Sequence, residues 1–198
     1  MKKFLVLLLV FFTAVFNLFA EETGSIVNKF PENLINASGK KVSASSLKGK
    51  MVAVYFSASW CGPCRGFTPQ LVKFYKKAKK SNAFEIVFVS RDKTATDMKK
   101  YMKDDSMPWL AIPFNDPAAK RLIGELKVNG IPTLAVFDKN GKLISADGRW
   151  DVVLLREKAV NAWKSSKYKP LTYQDYKSKL SKGSSRDNKK SSKKSKKK

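Results

Sequence analysis

The chain carries 198 residues, with 40 Lys and Arg against 16 Asp and Glu, a formal charge of +24, two cysteines and no histidine. That set argues against a structural zinc centre, which would have to recruit carboxylates or a second chain to complete four ligands. Once the two terminal segments described below are set aside, about 150 residues remain, enough for one domain with a good core.

Met1-Lys2-Lys3 precedes an apolar run from Phe4 to Phe19, broken only by Thr13 and Asn17, then Ala20 and the polar pair Glu21-Glu22. A basic start, an apolar stretch and a small boundary residue predict a signal peptide over 1–20 and an exported mature chain, periplasmic or secreted. Leu18 is large for position −3 of the cut, and an uncleaved membrane anchor is the competing reading of a run slightly short of a full span. A hairpin is expected next: 33–36 and 41–43 flank Ala37-Ser38-Gly39-Lys40, which has turn chemistry. The near-continuous apolar run from Met51 to Ser57 suits a strand buried on both faces.

That strand runs into Trp60-Cys61-Gly62-Pro63-Cys64, which holds both cysteines and opens a helix expected over 62–80. Two residues between thiols allow one turn at a helix start to bring the sulfurs into bonding range. At the helix N-terminus the free N–H groups and the positive end of the dipole favour a Cys61 thiolate, the nucleophile of thiol–disulfide exchange. Cys64, one turn further in, is then the resolving thiol, Pro63 holds the turn, and Arg65 adds positive charge. A structural disulfide, a zinc site and inert buried thiols compete with this reading. A loop this short would constrain little of the unfolded state, and Gly-Pro is an odd filler between core thiols.

Leu71, Phe74, Tyr75 and Ala78 repeat at helical spacing, with lysines opposite. A strand is expected over 84–90, an amphipathic helix over 94–103 with Met98, Tyr101 and Met102 on one side, and a proline-bounded apolar stretch over 107–114. Asp116-Pro117 starts a helix to about residue 127, and a strand over 133–137 turns at Asp138-Lys139-Asn140-Gly141 into an antiparallel return over 142–146. A last helix is expected over 151–165. The alternation of strands and helices argues a parallel α/β core. Residues 178–198 hold ten Lys and Arg, one acid, seven serines and one apolar residue, and are expected to form a disordered tail. It reads as a solubilising tail or as an adhesive for an anionic membrane or envelope surface, with no specific nucleic-acid role because it has no aromatic residue for stacking.

The run Tyr55-Phe56-Ser57-Ala58-Ser59-Trp60-Cys61 through Arg65-Gly66-Phe67-Thr68-Pro69, with Met107-Pro108-Trp109-Leu110 and Ile131-Pro132-Thr133 downstream, resembles thioredoxin-fold proteins of the tryparedoxin and nucleoredoxin branch. The resemblance covers about 30–165, within a domain set at 21–177. It implies a thioredoxin fold: a central mixed sheet flanked by helices on both faces, here with an N-terminal hairpin extension. It further implies a cis Pro132 against the Cys61-Cys64 redox-active disulfide, Ile131 as the backbone that docks an extended substrate segment, and Trp60 as an exposed aromatic beside the nucleophile. An ordinary trans proline is the alternative for Pro132, and plain core packing is the alternative for Trp109. Tyr55 stands where many thioredoxins bury an Asp, so proton handling must differ, and Gly62-Pro63 replaces the Pro-Pro of tryparedoxins.

The expected function is an exported protein-disulfide reductase or isomerase, monomeric and without a cofactor, served by an unidentified thiol electron donor. A noncatalytic scaffold acting through the basic tail is the alternative.

Overall fold

A computed structural model of the chain describes residues 25–182. The apolar run at 4–19, its boundary at Ala20 and the chain beyond 182 lie outside the described residues. Among those described, no helix is long and apolar enough to cross a membrane.

Seven strands form one sheet: β1 (Asn33–Ile35), β2 (Lys41–Ser43), β3 (Met51–Ser57), β4 (Phe84–Ser90), β5 (Leu110–Ala111), β6 (Thr133–Phe137) and β7 (Leu143–Ser145). Their order is β2-β1-β5-β4-β3-β6-β7. β3, β4 and β5 run parallel, while β6, β7 and the β1–β2 hairpin run antiparallel to their neighbours, so the sheet is mixed. All seven residues of β3 are buried, as expected of a central strand with both faces covered.

The period-two alternation of strand side chains divides the core. Ala53, Tyr55, Ile86, Phe88, Leu134 and Val136 point to one face. There they meet α1 (Gly62–Ala78), α2 (Ala95–Asp104), α4 (Arg149–Leu155) and α5 (Ala159–Trp163). Val52, Val54, Phe56, Val87, Val89, Ala135 and Phe137 point to the other, under α3 (Pro117–Glu125) and two short 3-10 turns, Ile26–Lys29 and Ala44–Leu47. The helices start where their caps stand: Cys61 for α1, Thr94 for α2 and Asp116, followed by Pro117, for α3.

Two expectations need correction. The last helix is broken: α4 stops at Leu155, Arg156 takes a φ of 53°, and a 3-10 turn leads into α5. Along an unbroken helix Asp151 and Trp163 would stand about 18 Å apart. The break lets Trp163 Nε1 donate to Asp151 at 3.1 Å and packs the indole on Phe74 and Phe84. Residues 178–182, expected as the start of a disordered tail, are helical, since a further helix, α6, spans 173–182. Thr172 and Asp175 cap it reciprocally, with Thr172 N–H donating to the Asp175 carboxylate and Asp175 N–H donating to Thr172 Oγ1.

Candidate active site

The site is built where β3 ends. Asp92, just past β4, accepts Ser59 N–H and Ser59 Oγ on one oxygen, both at 2.8 Å, and Ser90 Oγ on the other. Trp60 Nε1 donates to the Arg91 carbonyl at 3.2 Å, leaving the indole 61% exposed beside the cysteines. These bonds fasten the loop before Cys61 to the neighbouring strand, so the start of α1 is presented from a fixed platform.

Cys61 and Cys64 are joined by a disulfide with their Cα atoms 5.2 Å apart. Cys61 is the N-cap of α1, and the Cys64 N–H donates to its sulfur at 3.2 Å. Cys61 is 6% exposed, whereas Cys64 is fully buried. Gly62 and Pro63 are exposed, with Pro63 in the first turn. The Ile131–Pro132 peptide is cis, and the Ile131 carbonyl lies 3.7 Å from Cys61 Sγ. The residues expected to form the site are thus brought together, with Ala58 and Ile131 closing an apolar wall around the sulfurs. Trp109 is not a surface residue: it is buried edge-on to Tyr55 and Tyr75.

Behind Cys64 lies a buried hydroxyl cluster that no motif in the sequence announces. Thr68 Oγ1 donates to the Cys64 carbonyl at 2.9 Å and lies 2.8 Å from Tyr55 Oη and 2.7 Å from Tyr101 Oη. A hydroxyl has one proton and two lone pairs, so with its proton on Cys64 O, Thr68 accepts from both tyrosines. The Tyr101 proton is then spent, and Ser57 Oγ, 2.9 Å away, donates to Tyr101. Burial pushes Tyr55 well above the usual phenol range, so it stays neutral and serves as a donor. Helical i, i+4 spacing from Cys64 to Thr68 and the shared strand face of Tyr55 and Ser57 were signals for part of this cluster; Tyr101 comes from a distant helix and had none.

On the rim, Arg65 is exposed, and burial raises the Asp105 carboxyl above its ordinary range although Arg65 acts to lower it. Among the described residues, no three His, Cys, Asp or Glu side chains are grouped as a metal ion would require.

Residues 49–143 match the model of a family described as thioredoxin-like. The tryparedoxin of Trypanosoma brucei brucei is 43% identical over 122 residues, covering 61% of this chain and 83% of that protein. The chain belongs to the thioredoxin-like family. Its relatives include nucleoredoxins and tryparedoxins. Tryparedoxin II of C. fasciculata superposes with a TM-score of 0.61 at 40% identity, covering 66% of this chain and 91% of that one. A probable nucleoredoxin 1 from Arabidopsis thaliana is 46% identical over 116 residues, 58% of this chain, but the chain spans only 20% of that longer protein.

Proposed function

We propose that this chain exchanges its Cys61/Cys64 pair with disulfides of other proteins, with Cys61 attacking and Cys64 resolving. One observation carries the reading: the Cys61 sulfur caps α1, receives the Cys64 N–H at 3.2 Å, and faces the Ile131 carbonyl at 3.7 Å beside Pro132. The amide donor and the helix end both favour negative charge on this sulfur once the pair is reduced.

In the forward step the Cys61 thiolate attacks one sulfur of a substrate disulfide; a mixed disulfide forms and the other substrate sulfur leaves as thiolate. Cys64, held one turn inward, gives its proton to that leaving thiolate and attacks Cys61 Sγ. The second substrate sulfur departs as thiolate and takes a proton from solvent, the Cys61-Cys64 disulfide closes, and an external thiol donor returns two electrons. With hydroxyls and no carboxylate behind Cys64 among the described contacts, the substrate itself supplies the base. The substrate segment docks in extended form along the backbone at Ile131.

Gly62-Pro63 supports a reducing or isomerising direction. Residues 1–20 support work after export, and the lysines beyond 182 support adhesion to an anionic surface. Turnover of insulin disulfides with a dithiol reductant tests the core of the proposal: Cys61→Ser should be inactive, and activity equal to the parent removes Cys61 from the nucleophile role. Equilibration with glutathione tests direction, and a potential near about −120 mV would make the protein an oxidant instead.

A further inference from the structure

The C-terminal helix α6 is tied, link by link, to the backbone that faces the reactive sulfur. The rings of Tyr173, half exposed, and Tyr176 lie 5.2 and 5.3 Å from the Trp150 ring and 6.2 Å from each other. The Arg149 guanidinium sits 5.2 Å from the Trp150 ring. Arg149 grips the Asp147 carboxylate with two nitrogens, Nε at 2.7 Å and Nη2 at 2.5 Å. The turn carrying these residues is fastened to Leu134: Gly148 N–H donates to the Leu134 carbonyl at 2.6 Å, and Leu134 N–H donates to Asp147 Oδ1 at 3.4 Å. Leu134 lies two residues beyond Pro132. A groove of about 340 Å³ runs between the two parts, lined by Gly130, Ile131, Pro132 and Thr133 on one side and by Asp147 and Arg149 on the other.

We propose that α6 is a clasp that sets the far wall of the substrate groove, with Tyr173 and Tyr176 as positioning residues for polypeptide docking. The inference rests on the disulfide-exchange reading above. A ten-residue helix has little stability of its own in water, so its order comes from what it packs against. It also has an anchor independent of the tyrosine rings. The segment before it is held by buried Asp151, which accepts Tyr168 Oη at 2.5 Å and Leu171 N–H at 3.3 Å. Loss of the rings therefore frees Trp150, and with it the Arg149–Asp147 wall that it backs, without detaching the segment before α6. The wall matters only to a substrate long enough to lie in the groove; a small disulfide reaches Cys61 Sγ without touching it.

The test compares insulin with hydroxyethyl disulfide as substrates of the full chain, under a dithiol reductant. Tyr173→Ala/Tyr176→Ala should raise KM for insulin about three- to tenfold, the value of one to two aromatic contacts. The kcat for insulin and the rate with hydroxyethyl disulfide should stay within about twofold, and Tyr173→Phe/Tyr176→Phe should restore the parent KM. An unchanged insulin KM, an equal loss on both substrates, or failure of the Phe pair to rescue overturns the clasp. If the Ala pair unfolds at the assay temperature, Tyr176→Leu alone decides: a raised KM at constant kcat supports the clasp and an unchanged KM overturns it. A parent inactive on both substrates overturns the exchange reading and this one together, whereas an active parent with unmoved variants overturns only the clasp.

Discussion

Thr68→Val tests the proton assignment behind Cys64. Valine matches threonine in shape but neither donates nor accepts, so the substitution deletes three buried hydrogen bonds at once: to Cys64 O, from Tyr55 and from Tyr101. Tyr101 keeps Ser57 within 2.9 Å and can re-pair. Tyr55 loses the acceptor 2.8 Å from its buried hydroxyl, and a buried hydroxyl stripped of its partner costs about 1–3 kcal/mol. With about 1 kcal/mol for the lost bond to Cys64 O, the substitution should cost about 2–4 kcal/mol and lower a urea midpoint by roughly 1–2 M. The second half of the cycle is more diagnostic. Tyr55→Phe alone removes one donor from a Thr68 that keeps its other partners, and should cost about 1 kcal/mol; in the Thr68→Val background it removes the orphan and should be neutral or stabilising. Equilibrium urea unfolding of the four proteins measures the coupling. A Tyr55→Phe cost that is the same in both backgrounds would refute the assignment of Thr68 as the acceptor for Tyr55.

Three further outcomes follow from the same geometry. Burial raises the Asp151 carboxyl above its ordinary 3.8 despite three donors, so the folded state holds this proton more tightly than the unfolded one; its contribution is complete below the ordinary range and lost as pH rises through the folded value. Urea midpoints between about pH 4 and pH 7 should show that downward slope in the parent and lack it in Asp151→Asn, and a parent–variant difference independent of pH would contradict the argument. A Cβ at Gly148 would stand 2.7 Å from Val136 Cγ2 and 3.2 Å from the Trp163 ring, both core groups. Gly148→Ala should therefore cost about 1–3 kcal/mol in thermal or urea unfolding, and a loss under about 0.5 kcal/mol would mean that the turn is looser than drawn. Trp60→Ala removes an exposed ring with one hydrogen bond, so stability should fall by less than about 1 kcal/mol while kcat/KM on insulin falls about tenfold; unchanged kcat/KM would remove Trp60 from the docking surface.

The features legible in the sequence were the local ones. β3 and β4 could be read because strands covered on both faces keep apolar residues throughout, and both hairpins because Ala37-Ser38-Gly39-Lys40 and Asp138-Lys139-Asn140-Gly141 carry their own turn chemistry. β5 shows in the sequence only as an apolar stretch: it pairs through two residues between Pro108 and Pro113, too few to show a period. The break at Arg156 answers to Trp163 reaching back to Asp151, a contact invisible to helical periodicity. The start of α6 is marked by Thr172 and Asp175 at capping-box spacing, a local signal that the Lys- and Ser-rich composition following it masks. At the site, Trp60, the cysteines and Ile131-Pro132 announced themselves as short motifs. Asp92 and Tyr101 did not, because each acts on a residue 33 or more positions away.

The central claim is that Cys61 attacks and Cys64 resolves. Reduced Cys64→Ser protein, mixed with a protein disulfide and followed by non-reducing electrophoresis and peptide mass spectrometry, tests it most directly. The account predicts a stable mixed disulfide on Cys61 that dithiol releases. No adduct with a substrate that the parent reduces, or an adduct that forms on Cys64 in Cys61→Ser at an equal rate, would contradict it.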